Sequence, residues 1–249
     1  MWNKFDKICI FTTTKYDNDD IWNIRYPLFF KLLKNCEDLW IDIVDIDDSS
    51  NSNFLSKISD FKSIKFNSDE SYSSLWEKRR AALKYAMEIW NKEYFLWTEP
   101  EKFGLIKESV MNKFLHLCAN WVNLVVPNRK LLFNWIDCMA AQTEFIANKF
   151  CNEQLNSDSF FDLWFWPKFF SKNICSYFLE YNQHSDKMDA QDSVVIPFIN
   201  AISKWVTAKS FEVDYKYTEW EILLEKTKPL IEKRLFLFDK ILMEVLKLF

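Results

Sequence analysis

Glycine is nearly absent from this sequence, which has 249 residues and a single glycine, Gly104. Dinucleotide-binding turns, phosphate-binding P-loops and the nucleophile elbows of hydrolases each need more than one glycine. A side chain would block the backbone dihedrals or the close approaches that these loops use. The composition therefore excludes all three motifs, and any bound nucleotide must be held in another way.

Histidine is also scarce, with only His116 and His184, so a multi-histidine metal centre or a standard Ser-His hydrolase is not expected. The six cysteines are scattered, and no two of them form a C-x-x-C pair. Most lie in apolar segments, where a free cysteine packs as a small hydrophobic residue. This usage predicts a reducing, cytoplasmic compartment.

No charge of one sign dominates, because 32 basic residues are set against 36 acidic residues, a net charge of −4. No block of like charge is long enough to follow a nucleic-acid backbone, so we expect no nucleic-acid partner. The N-terminal segment lacks a signal-peptide core, and no apolar stretch approaches the roughly 18 residues of a membrane span. The sequence predicts a soluble protein without a transmembrane segment, and peripheral membrane contact stays open.

Apolar residues make up 49% of the chain, which is enough to bury a substantial core. No stretch rich in proline, glycine or serine has the length of a linker; the Ser/Asn run at 49–53 is predicted to be a loop. We therefore expect a single domain that spans residues 1–249.

Short β-rich runs alternate with helical patterns in the first half of the chain. Predicted strands cover 7–14, 39–46, 63–66, 94–97 and 123–126, and predicted helices cover 21–35, 74–90, 105–120 and 139–152. Ser74 and Glu77 form an S-x-x-E capping box at the start of one helix. The alternation predicts βαβ units and a mainly parallel central sheet flanked by helices.

The second half is less regular. It contains an aromatic segment at 160–170, a short helix at 193–205, an alternating strand at 211–217 and an amphipathic helical segment at 220–249. The aromatic segment could face an acceptor sugar, although aromatic clusters more often form core. The last segment predicts helices that pack on the domain.

Polar residues follow three of the predicted strands, at 12–14, 45–50 and 98–102. Carboxyl ends of parallel strands meet at one edge of a sheet, where ligands bind in open α/β folds. The three polar groups are therefore expected to converge on one site.

Two stretches resemble a known family at this point. "IDIVDIDDSS", at 41–50, is similar to the end of the second strand in GT-A nucleotide-sugar glycosyltransferases, without that family's glycine. "SSLWEKRRAALKYAMEIWNKEYFLWTEPEK", at 73–102, resembles the helix with a basic start and the strand that delivers their D-x-D motif. Glu99-Pro100-Glu101 occupies the D-x-D place.

The resemblance implies a single GT-A-like α/β domain with a helical C-terminal segment. Residues 1–125 would form the nucleotide-sugar-binding half, and residues 126–249 the acceptor-side half. The implied activity moves a sugar from a nucleotide diphosphate sugar to the hydroxyl of a glycan or a small acceptor, in carbohydrate biosynthesis. A sugar-nucleotide nucleotidyltransferase and a non-catalytic binding or scaffold protein that keeps the fold are the alternatives.

Arg79 and Arg80 are candidates for binding the diphosphate. A nucleotide diphosphate gains negative charge as it leaves, and guanidinium groups near a helix N-terminus suit phosphate oxygens. Arg79 also lies on the apolar line through Leu83 and Trp90, where a charged group calls for an anion. The alternative is that both arginines flank the core and pair with Glu77 or other carboxylates.

Metal binding follows from the resemblance, because the D-x-D aspartates of the family hold a divalent ion and the ribose. Glu99 and Glu101 keep the i, i+2 spacing but are each longer by one methylene. They are candidates for the donor and for Mg²⁺ or Mn²⁺, whereas Lys102 and the two arginines could supply that charge without a metal. The alternative is a solvated turn after an edge strand.

The ends of the first two strands would bind the nucleoside. Asp45, Asp47 and Asp48 suit hydrogen bonds to the base or ribose, and Thr12, Thr13 and Thr14 would line the same pocket. The alternative for the acidic group is a turn in which aspartates cap serines 49 and 50.

An inverting enzyme needs a carboxylate to accept the proton of the attacking hydroxyl. "DAQDSVVIPFINAI", at 189–202, resembles the acidic helix start that supplies this base in inverting members of the family. Asp192 is the first candidate and Asp189 the second. A helix N-cap is the alternative role, and the choice between inverting and retaining chemistry stays open.

Overall fold

The central sheet has seven strands in the part of the chain that the computed structural model describes. That part comprises residues 3–16, 20–61, 64–67, 72–89, 91–130, 139–155, 157–182 and 189–215, with 236, 240, 242–243 and 245–248. The strand order is β3-β2-β1-β4-β6-β5-β7. The strands are β1 Ile8–Thr14, β2 Asp42–Asp47, β3 Ile64–Asn67, β4 Tyr94–Trp97, β5 Leu124–Arg129, β6 Lys168–Ser171 and β7 Ala208–Val213.

All neighbouring strands pair in parallel except β6, which is antiparallel to both β4 and β5. The prediction of a mainly parallel sheet flanked by helices is confirmed. The helices are α1 Asp20–Leu39, α2 Ser52–Ile58, α3 Leu75–Glu88, α4 Glu108–Ala119, α5 Met139–Leu155, α6 Cys175–Leu179 and α7 Asp189–Ser203, with 3₁₀ turns at Pro100–Leu105 and Lys172–Ile174.

The sheet is covered on both faces, which explains why its central strands read as continuous apolar runs. On β1, Ile8 and Ile10 belong to the core with α1 and α4, whereas Cys9 and Phe11 belong to the core with α3, α6 and α7. Alternate side chains of one strand therefore enter two different cores. None of the described helices combines the length and apolar character of a membrane span.

The N-terminus of α3 confirms the capping prediction with one difference. The Ser74 hydroxyl accepts a hydrogen bond from the Glu77 amide at 3.1 Å, as an N-cap should. The Glu77 carboxylate accepts from the amide and hydroxyl of Ser73, one residue before the expected partner. The Glu77 amide and the Ser73 amide, which have no partner within the helix, are each satisfied by a side-chain contact of this motif.

Several predicted boundaries are wrong. Helix α1 continues to Leu39 rather than Asn35, and the chain turns at Trp40 with φ 59° before β2. The predicted loop at 49–53 contains the start of α2, which the side chain of Asn51 caps. Strand β6 was not predicted, because its residues are buried on both faces and show no alternation.

In the second half, α7 starts at Asp189 rather than at 193, and β7 begins at Ala208 rather than at 211. Most of the helical segment predicted at 220–249 lies outside the described residues. Within it, Val245 is buried in the core beside α3 and α7.

The register places the polar strand ends at one edge. Thr12 lies opposite Asp45 and Thr14 opposite Asp47. The antiparallel strand β6 brings its first residue, Lys168, opposite Trp97 at the end of β4. We call this the carboxyl edge, and it positions the site described next.

Candidate functional site

A cavity of about 300 Å³ opens at the carboxyl edge. The end of β1, helix α1, the first turns of α3 and the segment after β4 surround it. Its lining is rich in charge, with four basic side chains against two acidic ones: Lys15, Arg25, Lys78 and Arg79, and Glu99 and Glu101. The excess of positive charge suits a ligand that carries negative charge.

Arg79 is held by aromatic rings. Its guanidinium carbon lies 4.3 Å from the ring centroid of Trp97 and 5.4 Å from that of Trp166. Aromatic faces attract a cation without adding a negative charge. The side chain is buried, and it stands on the first turns of α3, where the helix adds partial positive charge. This is a suitable position for binding an anion.

Arg25 on α1 forms an ion pair with Glu101, and both side chains lie in the wall of the cavity. The second carboxylate oxygen of Glu101 is buried and accepts no hydrogen bond from any described residue. Sequence reasoning missed Arg25, although a signal was present. Arg25 precedes the buried Phe29 by one helical turn, as Arg79 precedes Leu83.

Lys78 was also missed, although it directly precedes the two predicted arginines. Its amine forms an ion pair with the carboxylate of Asp48 in the loop after β2. The pair ties α3 to that loop and gives Asp48 a structural contact.

Glu99 is half-buried beside these groups. Burial raises the pKa of its carboxyl, Lys102 lowers it, and the repulsion from Glu101 raises it further. Glu99 therefore binds a proton more readily than an exposed glutamate, and a cation or a hydroxyl donor would favour its charged form.

Asp45 and Asp47 are buried and share the hydroxyl of Thr14, which lies 2.6 Å from an oxygen of each carboxyl group. A hydroxyl has one proton to donate, so the other short contact needs a proton on a carboxyl group. Burial raises the pKa of Asp45 well above its usual value, and the charge of Asp47 adds to this. Burial also raises the pKa of Asp47, but hydrogen bonds from Ser49 and Thr14 lower it, so Asp45 takes up a proton more readily than Asp47 does.

Asp47 also accepts hydrogen bonds from the amide and hydroxyl of Ser49, with 3.0 Å between the amide nitrogen and the carboxylate. It thus has the turn-capping contacts that were the alternative interpretation. Thr13 and Thr14 line the cavity, whereas Thr12 is fully buried and its hydroxyl has no hydrogen-bond partner among the described residues.

Replacing Asp45 with asparagine is expected to raise the melting temperature at pH 7.5 by about 2–4 °C, the effect of about 1 kcal/mol in a chain of this size. Because the pKa of Asp45 is raised in the folded state, stability falls as pH rises from the unfolded value of about 3.9 through the folded pKa. Asparagine cannot ionise, so the variant does not lose this stability as the pH rises.

The gain should shrink as the pH approaches 4, which thermal melts at several pH values would measure. The exposed Asp60→Asn provides the matched control and should change little. A lower melting temperature for Asp45→Asn at neutral pH would contradict the proton assignment.

The structure separates Arg80 from Arg79. The Arg80 guanidinium stacks on Trp76 at 3.5 Å and donates to the carbonyl oxygens of Leu179, at 3.2 Å, and Tyr181. It lines a second cavity with Tyr72 and Leu179, and it shares a small apolar cavity with Arg79, but it is not part of the lining around Glu99 and Glu101.

Lys102 is a buried residue of the 3₁₀ turn, and its amine lies 5.1 Å from the ring centroid of Tyr215. It is not part of the cavity lining, but its charge lowers the pKa of Glu99. Lys102 therefore acts on the site through Glu99 and not through direct access to the cavity.

The two candidate bases are on the first turn of α7, which begins at Asp189. The side chains of Asp189 and Asp192 lie outside the described part of the structure. Val194, two residues after Asp192, lines a small apolar cavity together with Arg79 and Trp97. The start of α7 therefore lies close to the arginine that the site uses.

The residues present do not fit a metal site made by the protein alone. Within the described residues, no group of three histidine, cysteine, aspartate or glutamate side chains is placed to hold a metal ion. Glu101 is already paired with Arg25, and further basic side chains surround Glu99. A divalent cation would be repelled where these charges stand.

The fold is that of the GT-A-like nucleotide-diphospho-sugar transferases. The chain is similar to CMP:2-keto-3-deoxy-manno-octonic acid synthetase complexed with CTP, with a TM-score of 0.52, 7% identity, and coverage of 91% of this chain and 99% of that one. No protein-family model matches the sequence, and no curated protein matches it significantly.

Two further structures share the fold. One is the mannosyltransferase PcManGT from Pyrobaculum calidifontis in complex with GDP-Man and Mn²⁺, with a TM-score of 0.50, 11% identity, and coverage of 97% of this chain and 73% of that one. The other is glucosyl-3-phosphoglycerate synthase from Mycobacterium tuberculosis with Mn²⁺ and UDP, with a TM-score of 0.50, 8% identity, and coverage of 94% and 80%. At these identities the similarity concerns the fold, and at that level the resemblance is confirmed.

Proposed function

We propose that this protein is a glycosyltransferase that binds a nucleotide diphosphate sugar in the cavity at the carboxyl edge. The observation that carries the proposal is the lining, in which four basic side chains meet two carboxylates at the ends of parallel strands. Sugar transfer leaves negative charge on the diphosphate, and preorganised cations stabilise such charge in the transition state. The acceptor is a hydroxyl group of a glycan or of a small molecule.

Arg79 is the proposed ligand of the diphosphate, because two indole rings hold its guanidinium beside the cavity. Lys15 is exposed at the same cavity and can approach a phosphate from solution. Thr13 and Glu99 are the proposed contacts to the nucleoside and sugar hydroxyls. Arg80, which lines the other cavity, is left out of this set.

The acceptor side is proposed to involve the start of α7. Asp192, with Asp189 as second candidate, would take the proton of the attacking hydroxyl in an inverting reaction. The position of Val194 beside Arg79 supports this, because it brings the helix start near the diphosphate ligand. In this proposal residues 1–125 bind the donor and residues 126–249 the acceptor.

The positive charge beside the diphosphate is proposed to come from side chains of this protein. Mn²⁺ is present in the structures of the mannosyltransferase and the glucosyl-3-phosphoglycerate synthase. In this chain Arg25, Lys78 and Arg79 stand around the two glutamates instead. The reaction steps proposed here use no metal.

Thermal shift with a panel of nucleotide sugars tests the proposal. At a donor concentration of about 100 Kd, binding adds about 2.7 kcal/mol, and the melting temperature should rise by about 5–10 °C. The shift should be the same in EDTA and in Mn²⁺. No shift with any nucleotide would contradict the function, and a shift that appears only with Mn²⁺ would contradict metal independence.

A sugar nucleotidyltransferase is the second candidate, since the CMP:2-keto-3-deoxy-manno-octonic acid synthetase shares the fold. Such an enzyme would take a nucleoside triphosphate and release pyrophosphate, whereas a glycosyltransferase releases a nucleoside diphosphate from the donor. Product analysis after incubation with each substrate separates the two. A scaffold that kept the fold would bind a nucleotide and form neither product.

A further inference from the structure

Three tryptophans of the described chain are almost fully exposed, which is unusual for the largest aromatic side chain. Trp40, Trp121 and Trp205 expose 78%, 88% and 94% of their surface. Each also has a positive φ, at 59°, 64° and 67°. A non-glycine residue with such a dihedral is uncommon, and for a bulky side chain it is costly.

All three occupy the same place in a repeated unit, directly after a helix and just before a strand. Trp40 separates α1 from β2, Trp121 follows α4 before β5, and Trp205 follows α7 before β7. Helices commonly end on a left-handed residue, usually glycine or asparagine. Asn91, with φ 72°, follows this rule between α3 and β4. Tryptophan has no backbone reason to be there.

The three side chains also share one edge of the molecule. Strands β2, β5 and β7 run in the same direction, so the residues before them lie at the edge opposite the carboxyl edge. From β2 to β7 there are five strand intervals, about 24 Å. α1 and α4 pack on one face of the sheet and α7 on the other, so the three positions form a triangle rather than a line.

Three ion pairs formed within the protein lie at this edge. Lys4 pairs with Glu108 at 2.7 Å, Lys7 with Glu93 at 2.7 Å, and Lys92 with Asp42 at 2.6 Å. A protein partner normally meets a contiguous apolar patch, whereas these indoles are separated and set among paired charges. Tryptophans spaced in this way match the interfacial zone of a bilayer, where an apolar ring with a polar N–H is favoured.

We propose that Trp40, Trp121 and Trp205 form a tryptophan edge that docks the protein on a lipid bilayer surface. The three indoles enter the headgroup region, and the backbone strain at each helix end is retained because the side chain serves this contact. The carboxyl edge then faces away from the bilayer, about 23 Å from it, the length of β1. The cavity stays open to solution, so this proposal is independent of the proposed function.

Co-sedimentation of the full chain with phosphatidylcholine vesicles, with and without phosphatidylserine, tests the proposal. The wild-type protein should bind both, and the affinity should change by less than about threefold between them, because Lys4, Lys7 and Lys92 are paired with carboxylates. The triple variant Trp40→Asn, Trp121→Asn, Trp205→Asn should bind at least about tenfold more weakly. The Phe160→Ala variant, which alters an exposed aromatic near the other edge, should bind like the wild type.

The triple variant should melt at or above the wild-type temperature, because asparagine accepts the left-handed conformation more readily than tryptophan does. If it fails to fold, the three single variants replace it, and each should weaken vesicle binding about twofold to threefold. Failure of the wild type to bind either vesicle overturns the proposal. Undiminished binding by the triple variant, or a dimer that only the wild type forms without any lipid binding, also overturns it.

Discussion

Replacing Arg79 with alanine is expected to weaken the binding of a nucleoside diphosphate about 100-fold. The guanidinium lies 4.3 and 5.4 Å from the centroids of two indole rings beside the cavity, so it is preorganised for the phosphates. A charge-assisted bidentate hydrogen bond that loses its donor in a buried site costs about 2–3 kcal/mol. Isothermal titration of the nucleotide found by the panel would measure the loss.

Arg80→Ala is the matched control for this experiment. It removes the same side chain from the adjacent position of α3, but Arg80 stacks on Trp76 and donates to backbone carbonyl oxygens away from the cavity. The Arg80→Ala variant should be less stable than the wild type, but its nucleotide affinity should stay within about twofold of the wild-type value. Equal losses of affinity in both variants would show that the diphosphate does not lie at Arg79.

Replacing Asp162 with alanine is expected to destabilise the protein by about 3–5 kcal/mol, the usual cost of removing one partner from a buried ion pair. Asp162 accepts two hydrogen bonds from the Arg129 guanidinium, at 2.6 and 2.7 Å, and one from the Asn148 amide at 2.8 Å. After the change, Arg129 keeps its ion pair with Glu144 at 2.9 Å but loses the two-point contact with Asp162. Thermal melts should show a drop of about 6–20 °C.

The pH dependence gives this prediction a second test. Burial alone would raise the pKa of Asp162, but the charge and hydrogen bonds of Arg129 lower it below its usual value. The stabilisation is therefore present above the unfolded pKa of about 3.9 and is lost as pH falls through the folded pKa. The gap between wild type and variant should narrow below about pH 4, whereas the exposed Asp158→Ala should stay within about 0.5 kcal/mol of wild type.

The parts of the fold that were predicted well are those with a local signal. Strands β1 and β4 and the start of α3 follow from apolar runs and from the Ser74 cap, which act within a few residues. Strand β6 was missed because its pairing partners are distant: Phe169 lies opposite Leu96 and Val125. The hydrophobic periodicity of the local sequence does not predict contacts between residues so far apart in the chain.

The candidate site was predicted in part for the same reason. Residues attached to strand ends, such as Thr13 and Glu99, could be identified because the ends of parallel strands meet at one edge. The different roles of Arg79 and Arg80 could not be predicted, because they depend on tertiary contacts. Arg79 lies over Trp97, and Arg80 lies over Trp76. The contact of the Thr14 hydroxyl with both Asp45 and Asp47 could not be predicted either, because it depends on the register between β1 and β2.

The sequence by itself determined which kinds of functional motif this protein lacks. With one glycine and two histidines, the glycine-rich nucleotide loops and a multi-histidine centre were excluded, because those functions need particular residue types that no fold can supply. Only the tertiary structure decided which charges share a cavity, that Arg25 joins Glu101, and that three tryptophans lie at one edge. Charge and packing act through distance, and the distances between remote residues are set when the chain folds.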